Sequence, residues 1–175
     1  VAMLGQTAVA KLAASASIAS AFQSIHIDAA GIDKNTPWRF SVSVAYATET
    51  VVHECHGMTT VSCNKLLADS FVIGLIHDIG TMVQAKRDPQ AFGEAVSASL
   101  QSGVPLVIHE RRLMGIDHAD IGARLALHWK LPPEMAQGIG HHIDPLAADA
   151  DFRTITCVVH SAAQLVRRAG VPSLD

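Results

Sequence analysis

The run Gly74-Leu75-Ile76-His77-Asp78-Ile79-Gly80 sets an imidazole and a carboxylate side by side among apolar residues. Burying either group costs free energy unless something pairs with it. Two chemistries can use such a pair. One is metal binding, because zinc, iron and manganese take imidazole and carboxylate ligands gathered from several elements. The other is a core hydrogen bond, with the carboxylate accepting an imidazole N–H at a helix junction. Further histidines stand near element ends. His118 opens one helix, where its ring can project, and His141-His142 close another. His77, Asp78, His118, His141 and His142 are thus the candidate ligands. The residues alone leave both chemistries open.

The remaining histidines read as structural. His53 and His56 are spaced i, i+3 and share a helix face, but no third ligand is near in sequence. His109-Glu110, followed by Arg111-Arg112, reads as a solvated helix face. His26, His128 and His160 each stand alone on a helix or its edge.

Helices must position these groups. A first is expected over about Ala2 to Ser24, and a turn around Gly31 to Pro37. Pro37 suits the first turn of a second helix, where its missing N–H costs nothing. Trp38, Val42, Ala45 and Tyr46 then recur at helical spacing. That helix runs toward His53, with Gly57 as its interruption. A third is expected from about Asn64 to Gln84, with the His-Asp pair inside it. Asp88-Pro89 reads as an N-cap followed by a first-turn proline. Gly103 ends that helix, Pro105 opens the next and Gly115 stops it. Asp117, with Asp120 three residues on, resembles a capping box. Pro132-Pro133 breaks the chain before a helix that ends near His141-His142. Asp144 to Ala150 is loop. Asp151 to Arg168 forms the last helix, closed by Gly170 and Pro172. No period-2 strand pattern and no repeat is found, so the fold class is all-α with short connections.

Composition narrows the function. The chain has 175 residues, enough for one domain with a core. Apolar residues make up 49% and charged residues 17%, a globular composition rather than a disordered one. No apolar run reaches the roughly 18 to 20 residues of a membrane span, and the start lacks the basic region of a signal peptide. With net charge −3 and scattered Lys and Arg, no basic face for nucleic acid is present. Cys55, Cys63 and Cys157 lack CxxC spacing and suit a reducing cytoplasm.

The runs FVIGLIHDIG and MGIDHADIGARLALHWKLPPEMAQGIGHH resemble the HD superfamily, and more narrowly the HDOD domain, the HD-related output domain of bacterial signalling proteins. The resemblance covers roughly Val1 to Gly170 and is strongest from Phe71 to His142. It implies an HD-like helical bundle in a single domain over 1–175. It also implies that the N-terminal helical subdomain of a complete HDOD domain is missing, since VAMLG is similar to the segment that follows it.

Active relatives, including the HD-GYP phosphodiesterases, hydrolyse phosphate esters with metal-bound hydroxide, often on paired metals. Carried over by residue, the His-Asp pair is His77-Asp78, the middle histidine is His118, and the double histidine is His141-His142. The early histidine is replaced by Phe40 and the late aspartate by Ala163. The HD-GYP lysine position holds Thr81. Ile143-Asp144-Pro145 stands where the Gly-Tyr-Pro signature would be. Phe40 and Ala163 remove ligands from one metal position. Asp78, His118, His141 and His142 could keep the other. The resemblance therefore implies a non-catalytic regulatory domain acting through protein contacts, with room for self-association. It would hold no cofactor or one residual divalent metal (Fe, Mn or Zn). The alternative is a metal-dependent phosphohydrolase of nucleotides or cyclic dinucleotides. A shared expectation follows: Asp78, His118, His141 and His142 converge, and Phe40 and Ala163 line the same hollow.

Overall fold

The computed structural model describes residues 35–55 and 63–174, together with Ala16, Ser20 and Asp33, with side chains omitted over 63–68. The helix expected over Ala2 to Ser24, the interruption at Gly57, and the side chains of His26, His56 and Cys63 lie outside this description.

Among the described residues eight α-helices with complete bounds follow one another: α1 (Thr36–Glu54), α2 (Cys63–Ile76), α3 (Ile79–Arg87), α4 (Pro89–Ser102), α5 (Leu106–Met114), α6 (His118–His128), α7 (Pro133–Gly140) and α8 (Arg153–Arg168). Two short 3-10 turns, Pro145–Ala147 and Ala150–Phe152, fill the connection before α8. No strand occurs among the described residues.

Local sequence sets most boundaries. Pro37 lies in the first turn of α1. The Asp88 carboxylate accepts from Ala91 N at 3.0 Å and caps α4. Gly103 and Gly115, at φ 67° and 76°, close α4 and α5 in the left-handed region that favours glycine. Asp117 caps α6 by accepting from Asp120 N at 2.9 Å, one half of the expected box.

One boundary differs from expectation. The helix anticipated from Asn64 to Gln84 is two helices, and His77-Asp78 is the break between them. The apolar periodicity runs straight through Ile76 and Ile79, so nothing apolar marks the break. His77 Nδ1 donates to Gly74 O at 2.7 Å, a side-chain donor supplied to a carbonyl at the end of α2. The next helix then starts afresh, with Thr81 N and Thr81 Oγ1 both donating to Asp78 O.

Apolar stripes determine the packing. On α8 the buried residues Ile155, Thr156, Val159, Ala162, Ala163 and Val166 keep helical spacing. Phe40 and Val44 of α1 pack with Ala162, Ala163 and Val166. Phe71, Leu75, Ile76, Ile79, Ala126 and Ile139 join α2, α3, α6 and α7. Ala85, Phe92, Val96 and Leu106 form a separate cluster under α3, α4 and α5. α3 and α6 approach each other closely: a Cβ on Gly80 would collide with the backbone carbonyl of His118. Gly80 therefore lets the His-Asp break lie directly against the start of α6.

Candidate metal centre

His77 and Asp78 hang at the α2–α3 break, His118 is the first residue of α6, and His142 lies just past the end of α7. Their side chains converge. His77, Asp78 and His142 offer ligand atoms that all lie within 4.8 Å of one another. Asp78 Oδ2 is 3.2 Å from His77 Nε2, and Asp78 Oδ1 is 3.2 Å from His142 Nε2 and 3.5 Å from His118 Nε2. The rings of His77 and His142 meet edge to face at 5.0 Å. His77 is fully buried, His118 and His142 nearly so, and the Asp78 side chain is 17% exposed.

His141 does not join them. It caps the end of α7 with its backbone N–H, donating to Gln137 O at 3.0 Å, and its half-buried side chain makes none of the contacts of the cluster. Of a double histidine at a helix end, only one ring can turn into the hollow, and here it is His142.

The second nitrogen of each ring has its own partner. His77 Nδ1 lies 2.7 Å from Gly74 O, and His142 Nδ1 lies 2.7 Å from Ile139 O. A carbonyl only accepts, so both Nδ1 atoms carry protons. His118 Nδ1 lies 2.7 Å from Glu110 Oε2, which assigns it the proton too. In the neutral rings the three Nε2 atoms are then bare lone pairs. They face Asp78, and His118 Nε2 and His142 Nε2 approach to 3.4 Å. His77 Nε2 is buried without an aligned hydrogen bond. Acceptors facing acceptors repel unless a proton or a cation lies among them. Rings tethered through Nδ1 with Nε2 free are also the form in which histidine ligates metals. The residues present fit a divalent metal ion bound by imidazole and carboxylate.

The electrostatics agree. Burial pushes the Asp78 carboxyl up, but the contacts it makes with His77, His142 and His118 when those rings carry the extra proton outweigh it and hold the group well below the usual carboxylate range. Burial lowers the His142 imidazole more than neighbouring Asp78 raises it, so the ring favours its neutral, ligating form.

Phe40 is buried, with its ring 5.9 Å from that of His77, and shares a cluster with Ala163. The Arg167 guanidinium lies 5.0 Å from the centre of the Phe40 ring. Phe40 thus stands against the centre, and Ala163 is placed by its packing with Phe40. Beside it a hollow of about 230 Å³ is lined by Val107, His118, His142, His160, Gln164 and Arg167, among others.

Two residues of this region escaped the sequence reading. Glu110, read as part of a solvated face, is fully buried and binds His118. Its signal was available: with Leu106 and Val107 it lies on the buried stripe of α5 at i+4 and i+3. His160, read as isolated, donates from Nδ1 to His142 O at 2.8 Å and lines the hollow. His53 and His128 are exposed, as structural surface histidines are.

Comparison with known proteins follows this geometry. An HDOD domain protein of unknown function from Geobacter sulfurreducens superposes with a TM-score of 0.82 at 20% identity, covering 97% of this chain and 54% of that one. A candidate phosphohydrolase from Shewanella amazonensis gives a TM-score of 0.73 at 24% identity, covering 97% of this chain and 58% of that one. An uncharacterised protein of Treponema pallidum (strain Nichols) is 26% identical over 102 residues, which are 58% of this chain and 20% of that protein. The chain thus spans little more than half of the similar structures and a fifth of this relative. The family model for the HDOD domain matches residues 1–145, and the chain belongs to the HDOD domain family.

Proposed function

We propose that this chain is a non-catalytic signal-transduction module that works through protein contacts in the cytoplasm, with a one-cation centre in place of a hydrolytic pair. The observation that carries this reading is the wall formed by Phe40 and Ala163. The resemblance to active HD hydrolases implies a histidine and an aspartate there. A phenyl ring and a methyl group offer no lone pairs, so one half of a paired-metal arrangement lacks two of its ligands. His77, Asp78, His118 and His142 would hold the remaining cation. Bound there, the cation would supply positive charge to one carboxylate and three neutral rings, and would tie the α2–α3 break to α6 and to the end of α7. Buried metal centres of this kind contribute folding free energy. Leu127 and Trp129, 63% and 52% exposed, are surface groups that suit a protein partner.

The test combines composition with turnover. Protein purified without added metal is assayed by elemental mass spectrometry beside Asp78→Ala, and both are offered cyclic dinucleotides and nucleotides. About one equivalent of a transition metal, lost in the variant, with no turnover, is the expected result. Metal-dependent hydrolysis by the wild type would sink the non-catalytic reading.

A second reading, a metal-dependent phosphohydrolase, is favoured by the hollow beside His118 and His142, where Arg167 and Gln164 suit a small anionic group. It requires that Asp78→Ala abolish a measurable hydrolysis.

A further inference from the structure

We infer that Glu110 is a positioning residue for the centre: it fixes the tautomer of His118 and supplies the second negative charge that suits the centre to a divalent cation. This rests on the cation reading above.

A fully buried carboxylate is costly unless charge or hydrogen bonds compensate it. Glu110 is 0% exposed. Its Oε2 accepts twice from one residue, from His118 N at 3.0 Å and from His118 Nδ1 at 2.7 Å. Its Oε1 has no hydrogen-bond partner. The neighbouring cation does not serve it, because Arg111 is turned to Asp117 at 2.5 Å. Glu110 is therefore committed to His118 alone, and through that ring to whatever lies at His118 Nε2.

The two hydrogen bonds do different things. The backbone N–H of His118 is one of the donors left open at the start of α6, and it anchors the carboxylate at the positive end of that helix. The Nδ1–H bond sets the ring. With the proton held on Nδ1, Nε2 presents its lone pair toward Asp78 and His142, and a carboxylate on the far side raises the basicity of that nitrogen. His77 and His142 are tethered by carbonyls, which carry no net charge. Glu110 tethers His118 with a full negative charge. Asp78 and Glu110 together with three neutral rings balance a dication, whereas a single shared proton would leave an excess negative charge buried.

The test uses the intact chain, metal-free and 15N-labelled. Long-range imidazole 1H–15N correlation should place the His118 proton on Nδ1 in the wild type. In Glu110→Leu no acceptor faces His118 Nδ1, so the proton should move wholly or partly to Nε2, where Asp78 accepts. Titration with Co2+ should show affinity about 10- to 100-fold weaker in Glu110→Gln than in the wild type. Wild-type His118 protonated on Nε2 overturns the inference, and it does so without any variant having to fold. An unchanged tautomer in Glu110→Leu, or Co2+ affinity unchanged in Glu110→Gln when the wild type binds Co2+, overturns it as well while leaving the cation reading in place. Wild-type protein that binds no Co2+ overturns the charge role together with the cation reading, and a tautomer shifted in Glu110→Leu then supports the positioning of His118 alone.

Discussion

Asp78 occupies the N-cap position of α3 but makes no capping hydrogen bond with its side chain. Its backbone carbonyl serves Thr81 instead, and its carboxylate faces three rings. This arrangement has a pH signature in the metal-free protein. His142 is held below its ordinary value, so the unfolded chain takes up that proton first as pH falls. The stability His142 contributes is complete above about pH 6.5 and declines below it. Asp78 is also depressed, so its contribution is present above about pH 4 and is lost only as pH falls through its low folded value. The Tm of metal-free protein should fall between about pH 7.5 and about pH 5, and His142→Gln should flatten that fall. A level Tm in the wild type over this range would contradict the assignment. The apolar wall can be tested by restoration. Phe40→His with Ala163→Asp should raise bound Co2+ from about one to about two equivalents, and a ratio unchanged in the folded double variant would remove Phe40 and Ala163 from the explanation.

At the scale of elements, capping chemistry was legible and the break was not. Asp88, Gly103, Asp117 and Pro133 each act through their own chain neighbours, so their roles can be read from local sequence. The end of α2 depends on a histidine side chain bonding a carbonyl three residues back, and an apolar run gives no sign of it. Glu110 was missed for a related reason. Its partner is His118 at the start of α6, eight residues on, which accounts for a buried carboxylate there, while the adjacent Arg111-Arg112 suggested water. The contact between α3 and α6 yields a direct test. Gly80→Ala would push a methyl group into the His118 carbonyl, and overpacking against backbone costs about 1–3 kcal/mol or more. Thermal unfolding should show a Tm lower by several degrees, roughly 2–4 °C per kcal/mol at this chain length, and wild-type stability in that variant would refute the close approach.

On the scale of the molecule, the all-α class was readable because proline, glycine and aspartate punctuate the chain and no two-residue alternation competes. The convergence of His77, Asp78, His118 and His142 was not available from spacing. It came from resemblance to the HDOD family, and that resemblance could not separate His141 from His142, since only the geometry after α7 decides which ring turns inward. The cluster around Phe92 lies apart from the metal centre. Phe92→Ala should therefore cost about 3–5 kcal/mol of stability, measured by denaturant unfolding, while Co2+ affinity of the folded protein stays near the wild-type value. A parallel loss of affinity would show that the two regions are coupled.

The missing Cβ of Gly80 has a mechanical meaning. Where a helix rests on side chains, rotamer changes let it slide. Where backbone lies against backbone, there is nothing to rearrange, so α3 and α6 form a joint that can rotate with its surroundings but cannot shear. Motion passed through this domain would then move the pair as one body relative to α1 and α8, which pack on each other through Phe40, Val44, Ala162, Ala163 and Val166. Amide hydrogen exchange should report the division: the backbone N–H groups at the seam should be among the last to exchange, and those on the outer face of α8 should open sooner.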